Sequence, residues 1–520
     1  MSTNPQASTG SQTQQKGILD KLLDFIEKYG NKLPHPITIF AILAILTIFV
    51  SAVAEMGGLS AEFERVVDGE VVTDDVEVQS LLSTEGIRMI FSDAVDNFTS
   101  FAPLGTVLVA MIGVGVADNS GLIQTVLRKI VMSAPNKLIT MAIVFTGILS
   151  NIASNAGYVI LIPLGAMIFL SLGRHPLAGI TAAFAGVSGG FSANLIIGTL
   201  DPLLAGISQE AAQMYQEGYT VDPTANWYFM IASTFVVTFL GTYVTEKIIE
   251  PRLGEYKGSS EESIDEITEN ESKGMKWAGL SLIVYLIIVL ALVLPSNGVL
   301  RADDGDIIDG SAFMAGIVPI IAVAFLIPGI FFGIATGTVT NDKDVAKQMG
   351  KSMSTLGTYI CLVFVAAQFI EYFNWSNLGE IIAVYGGNFL ETIGLTGIPL
   401  AISFVILAGS MNLFITSGSA QWGVMAPIFI PMLMSMGYSP EFIQIGFRIG
   451  DSISNLITPL LSFFPFILAY AQRYDEKIGI GTMISSMLPY SITFLIGWSI
   501  LFIIWFILGL PIGPGASIYL

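Results

Sequence analysis

The sequence predicts an all-α polytopic membrane protein with nine transmembrane helices and two re-entrant hairpins, arranged as two inverted halves. Three observations carry this. Hydrophobic residues make up 53% of the 520 and charged residues only 12%, and mean hydropathy is +0.72; a soluble chain of this length needs a far more charged surface. Apolar runs recur from Pro36 to the C-terminus at the ~20 residues that a helix needs to cross ~30 Å of hydrocarbon, without the ~10-residue alternation of membrane strands. Finally, two stretches rich in Asn, Ser and Gly interrupt apolar segments and resemble one another in order.

Residues 1–33 read as a cytoplasmic tail. Its start is Ser- and Gln-rich, and apolar residues at helical spacing from Ile18 to Ile26 suggest an interfacial helix. Lys16, Lys21, Lys28 and Lys32 precede span one, Pro36–Ala54. Its Ala52-Val53-Ala54 end mimics a signal-cleavage site, but the run and its leader are too long, so the span reads as retained. An acidic segment, 55–97, follows and reads as a solvated outer loop.

Basic residues in short loops mark the cytoplasmic side. Span two, Phe98–Ala117, returns to Arg128, Lys129 and Lys137. The segment 138–173 is broken by Ser150-Asn151-Ile152-Ala153-Ser154-Asn155 and has bases at both ends, Lys137 and Arg174. A hairpin that enters and leaves on the cytoplasmic side satisfies both facts. Span three starts near Pro176 and carries Gly186, Gly189 and Gly190 among Ser188, Ser192 and Asn194, the marks of an unwound helix. Span four, Trp227–Val244, ends the first half, 34–250, and a polar cytoplasmic linker occupies 251–274.

The second half, 275–520, contains spans at Trp277–Leu294, Ala312–Gly337 and Leu356–Phe373. A hairpin at 398–437 follows, broken at Asn412 and Thr416–Ser419. A span over Phe442–Tyr470 is interrupted near Gly450–Pro459, and Met483–Leu508 is the last. When Pro163 is laid over Pro427, Pro176 falls on Pro440, Tyr158 on Trp422, Gly186 on Gly450 and Ser188 on Ser452. After a short offset, Asn194 falls on Asn455. Ordered matches of this kind point to duplication. An odd number of spans before the second hairpin inverts it, which is the plan of secondary transporters with a midplane site.

Net charge is −19, from 22 basic and 41 acidic residues, and the lack of a basic patch excludes nucleic-acid binding. Two histidines and one cysteine give no material for a metal or disulfide site, and Cys361 reads as a packing residue. Arg448 and Asp451 stand out, because a charge at membrane depth costs about 2.5–3.5 kcal/mol and their spacing puts them on one helix face. They read either as a mutual structural ion pair or, with more weight, as substrate-binding guanidinium and coupling carboxylate. Asp201 reads equally as a second proton-coupling acid or a helix-end residue, and Asp118 with Asn119 as a helix end. Asn151, Asn155, Asn194, Asn412 and Asn455 suit substrate or a sodium ion, or the backbone of their own breaks. Ser154 and Ser419 share that ambiguity. Tyr158 and Trp422 read as stacking platforms or packing, and Pro427 and Pro459 as helix breakers.

At these motifs the chain resembles the p-aminobenzoyl-glutamate transporter (AbgT) family. The resemblance rests on Gly30-Asn31-Lys32-Leu33-Pro34-His35-Pro36, Ser150–Tyr158, Ser192-Ala193-Asn194-Leu195 and Ser419-Ala420-Gln421-Trp422. Phe447–Ser452 and Asn455-Leu456-Ile457-Thr458-Pro459 complete it. It implies a homodimer that imports p-aminobenzoyl-glutamate or exports sulfonamide antimetabolites on a proton gradient, in the inner membrane; the polar hairpin tips by themselves suit sodium coupling, with a bound ion, equally well. It implies functional roles for Asn412, Ser419, Trp422, Pro440, Arg448, Asp451 and Pro459, with the family's acid near the first broken helix at Asp201 or Asn194. The residues supply no metal triad or nucleophile–base pair for an intramembrane enzyme, and no organic cofactor is expected. A sodium-coupled dicarboxylate carrier and a channel are the alternatives.

Overall fold

The computed structural model describes residues 34–67, 70–153, 156–256, 267–308 and 310–520. The N-terminal tail, Ser154 and Asn155 lie outside them. Helix α1 (Pro36–Met56) opens the fold; His35 Nδ1 accepts from the Ile37 amide and proline sits in its first turn, where its missing N–H costs nothing. The acidic segment is more ordered than an outer loop. Strands β1 (Ser60–Val67) and β2 (Glu70–Glu77) pair antiparallel, and α2 (Thr84–Ser92) and α3 (Ala94–Ser100) follow. Val66, Val71, Val72 and Val76 give this stretch the β-branched content that its acids obscure.

The first half continues with α4 (Ala102–Asn119), α5 (Leu122–Met132), α6 (Ile139–Leu149), α7 (Ala156–Ser171), α8 (Pro176–Phe184), α9 (Leu200–Gln213) and α10 (Trp227–Val244). The second half contains α11 (Glu269–Val293), α12 (Ile317–Thr336), α13 (Asp342–Thr355), α14 (Gly357–Trp375), α15 (Leu378–Thr392), α16 (Gly397–Asn412), α17 (Gly418–Met434), α18 (Pro440–Ser454), α19 (Phe464–Gln472) and α20 (Ile480–Leu508). Among the described residues, five helices are long and apolar enough to cross a membrane, and up to nine spans result if each bent pair counts as one. Helix α11 starts two turns before the expected span, fixed by a capping box between Thr268 and Glu271. Cys361 is exposed on α14 rather than packed.

Two elements are absent from the sequence reading. Helix α5 turns into the first broken segment at 111°, and α15 turns into the second at 120°. Each is an elbow that leads the chain into a hairpin.

The hairpins themselves are closed at their mouths. Arg174, after the first, donates to Thr140 Oγ1 at its entrance (2.9 Å) and holds Glu250, past the end of α10, through two 2.7 Å bonds. In the second, the Gly397 amide donates to the Tyr438 hydroxyl (2.9 Å), and Tyr438 stacks on Tyr519. Helices α10 and α20 run antiparallel, since Trp498 donates to Ser233 while Tyr490 meets Thr245. The first mouth therefore sits at the start of α20, where Arg252 donates to Ser485 Oγ, and the second at its end, beside Phe506. The 29 residues of α20 separate them by about 43 Å at 1.5 Å per residue. The hairpins open on opposite faces.

Candidate functional site

Both broken helices cross a hairpin arm at a glycine. A Cβ on Gly186 would lie 2.4 Å from Val144 O, and one on Gly450 2.5 Å from Val405 O, so only glycine lets these backbones cross so closely. Next to each crossing an asparagine bridges tip and broken helix. Asn151 Nδ2 donates to Ile148 O (3.1 Å), Val187 O (3.0 Å) and Gly190 O (3.3 Å). Asn412 Nδ2 donates to Asp451 O (2.9 Å), Ser454 Oγ (2.9 Å) and Asn455 Oδ1 (2.8 Å). The two asparagines thus add side-chain donors to the irregular backbone of the breaks, which polar groups must satisfy at membrane depth. The two breaks also touch: the Ser192 amide donates to Ser452 Oγ at 3.1 Å.

At this junction the charges are arranged differently from a mutual Arg448–Asp451 pair. Arg448 Nη2 lies 2.8 Å from Asp201 Oδ1, and both side chains are only 4% exposed. Asp201 Oδ2 accepts from the Gly198 amide at 2.6 Å, which anchors the acid to the unwound segment before α9. Arg448 Nε donates to Gln444 Oε1 (3.1 Å), and Gln444 Nε2 donates to Ser208 Oγ (2.7 Å). Trp422 Nε1 reaches the same hydroxyl at 3.0 Å. A buried polar chain therefore runs Trp422–Ser208–Gln444–Arg448–Asp201. Among the described residues, Arg448 Nη1 has no hydrogen-bond partner, nor has either oxygen of Asp451. Asp451 is buried, and its carboxylate faces Gly418 at the second tip, where a Cβ would lie 3.6 Å from both oxygens.

The remaining sequence-derived residues fall around this junction. Asn194 and Asn455 are buried beside the breaks, Asn194 accepting from the Leu195 amide at 2.9 Å. Asn412 Oδ1 is buried and unpartnered. Ser419 lines a cavity of about 580 Å³ with Phe414, Thr416 and Tyr359, and Pro459 occupies the turn between α18 and α19. Trp422 is fully buried and stacks on Phe447 at 4.6 Å; Tyr158 stacks on Phe463 at 4.5 Å and bonds Ser188 Oγ at 3.0 Å. Both aromatics pack in this conformation. Sequence reasoning missed Gln444 and Ser208, which lie on the same faces as Arg448 and Asp201. A second cavity, of about 800 Å³, lies between α4, α13, the first tip and the unwound segment; Asp118, Lys351, Asn151, Phe191 and Thr199 line it.

Broken helices that meet hairpin tips around a buried ion pair, with mouths on opposite faces, define an inverted-repeat membrane transporter. The chain belongs to the AbgT putative transporter family, whose model matches residues 21–520. It is similar to the p-aminobenzoyl-glutamate transport protein of Escherichia coli (strain K12), 40% identical over 495 residues that cover 95% of this chain and 96% of that one. Among solved structures it is similar to the Alcanivorax borkumensis YdaH transporter, with 42% identity and TM-score 0.87 over 92% of this chain and 100% of that one. It is also similar to Neisseria gonorrhoeae MtrF, described with a class of antimetabolite efflux pumps, at 50% identity and TM-score 0.90 over 95% and 100% of the two chains.

Proposed function

We propose that this protein carries p-aminobenzoyl-glutamate or related aromatic amides and sulfonamides, coupled to a proton gradient. It does so as a homodimer in the inner membrane, with its N-terminus in the cytoplasm. The observation that carries the reading is the Arg448–Asp201 pair beside the unpartnered Asp451. A guanidinium grips a carboxylate through its planar fork, and Arg448 keeps Nη1 unpartnered while Asp201 occupies Nη2. A substrate carboxylate displaces Asp201 most easily once that acid is neutral, since an unpaired buried charge costs several kcal/mol. Protonation of Asp201 and capture of an anionic substrate are therefore linked. The relatives' transport of p-aminobenzoyl-glutamate and efflux of antimetabolites supply the substrate class.

Sodium coupling is the second reading. Its specific support is that Asp451 Oδ1 and Oδ2 and Asn412 Oδ1 are buried without hydrogen-bond partners among the described residues, on two elements joined by the Asn412 Nδ2–Asp451 O bond, since hard cations take oxygen ligands.

The test is uptake of labelled p-aminobenzoyl-glutamate in proteoliposomes under imposed proton or sodium gradients. Accumulation is expected to follow the proton gradient, to vanish in Arg448→Ala with normal expression, and to become gradient-independent counterflow in Asp201→Asn. Accumulation driven by sodium alone would select the second reading. Competition by simple dicarboxylates but not by aromatic amides would select a dicarboxylate carrier, and flux without saturation or counterflow would select a channel.

A further inference from the structure

The Asp201–Arg448 junction leaves the 800 Å³ cavity without a role. Its outer wall is the end of α4 and the last turns of α13, an element that carries Lys343, Lys347 and Lys351. Its inner wall is the first hairpin tip and the segment 191–203, so it stops one layer short of Asp201. Thr199, Leu200 and Leu203, which line it, flank that acid on α9.

The polar groups at its two ends differ in kind. At the outer end Lys351 shares the cavity with Asp118, whose charge interacts with the Lys351 ammonium and whose Oδ1 is buried without a hydrogen-bond partner. Asn119 beside it is committed to structure: its Nδ2 donates to Gly115 O, Gln348 O and Ser352 Oγ. Asn119 is therefore held by helix contacts, whereas Asp118 faces Lys351 and Gln124, both of which line the cavity. At the inner end, Asn151 is 7% exposed. Asn151 borders the cavity, its amide nitrogen donates to three carbonyls, and its Oδ1 is buried without a hydrogen-bond partner among the described residues. A buried acceptor without a donor is destabilising and is satisfied by an incoming N–H. The rings of Phe191 and Tyr359 line the same cavity, with Val107, Met111 and Leu200.

We propose that this cavity is a second, outer substrate station for an anionic aromatic amine, in which Lys351 holds the carboxylate, Phe191 and Tyr359 flank the ring, and Asn151 Oδ1 accepts from the amine. Asp118 is the counter-ion that Lys351 exchanges for the substrate carboxylate. A cavity that combines a cation, aromatic and apolar walls and a few polar groups is the usual form of a small-molecule site. The proposal rests on the transport reading above and adds to it a place where substrate waits before Asp201 releases Arg448. Under the topology of that reading the station faces the cytoplasm.

Equilibrium binding of labelled p-aminobenzoyl-glutamate to the purified full-length protein tests it, with unlabelled p-aminobenzamide, which lacks the carboxylates, as competitor. Lys351→Met is expected to weaken p-aminobenzoyl-glutamate about tenfold, the scale of one charge-assisted contact, and to leave p-aminobenzamide unchanged. Lys351→Arg restores most of the loss. Asp118→Asn is expected to tighten binding about threefold, because Lys351 is then no longer neutralised; a merely structural acid would weaken or not affect it. Unchanged binding in Lys351→Met, equal weakening of both ligands, or weaker binding in Asp118→Asn would overturn the station. If Arg448→Ala abolishes transport while Lys351→Met binds like wild type, the station falls and the transport reading stands; if wild type does not bind p-aminobenzoyl-glutamate, both fall.

Discussion

The two broken helices share a backbone and differ in chemistry. Helix α8, prolonged by the turn Ala185–Gly189, and helix α18 both start at a proline, cross a hairpin arm at a glycine and receive an asparagine from the tip. In the register that lays Gly186 on Gly450, Arg448 falls on Phe184 and Asp451 on Val187. Duplication supplied two copies of a helix-breaking device, and only the second was loaded with charge. The first half answers from outside its break, through Asp201 at the start of α9. The ion pair therefore ties the two halves together, whereas each asparagine bridge ties a half to itself.

Breaking that tie has the largest expected effect. Arg448→Met leaves Asp201 buried without its cation, and removing one partner of a buried pair costs about 3–5 kcal/mol. Thermal unfolding in detergent should show a large drop for Arg448→Met and for Asp201→Leu. The double variant should recover most of the stability, because an apolar pair replaces the charged one, yet transport should stay lost. Recovery of transport in the double variant would show that the pair only holds the halves together.

How much of this was legible in the sequence follows the same division. The duplication was visible because proline and glycine mark breaks whatever their surroundings, so both tips and both unwound stretches were located. The partner of Arg448 was not, since pairing by spacing within one helix favoured Asp451, and Asp201 reaches Arg448 only after the chain has unwound and restarted. The elbows α5 and α15 were missed because each is shorter than a span and turns sharply into the apolar arm that follows it, so neither shows the unbroken run that marks a crossing. The ribbon β1–β2 was hidden by its acids, which cover a strand as readily as a loop.

The asparagine bridges come next in size. Asn151→Ala and Asn412→Ala each strip donors from buried acceptors at a break, at about 1–3 kcal/mol each. If the two copies of the device are equivalent, their unfolding midpoints in detergent fall by similar amounts. A much larger fall for Asn412→Ala would show that its contacts to Ser454 Oγ and Asn455 Oδ1, which replace plain carbonyls in the second half, hold more than backbone.

The smallest expected effect concerns the aromatic pair Tyr158 and Trp422, which occupy the same place in the two hairpins. Each stacks on one ring, Phe463 or Phe447, and each donates to one serine, Ser188 or Ser208. Tyr158→Phe and Trp422→Phe keep a ring in the stack and remove the donor, for a cost of about 0.5–1.5 kcal/mol each. Their transport consequences should differ, because Ser188 lies within the first break, whereas Ser208 also accepts from Gln444, which orients Arg448. Uptake kinetics should therefore show a raised KM in Trp422→Phe and an unchanged one in Tyr158→Phe at similar stability. Equal KM values would mean that the chain from Trp422 to Arg448 transmits nothing, and that the second hairpin, like the first, contributes only its backbone.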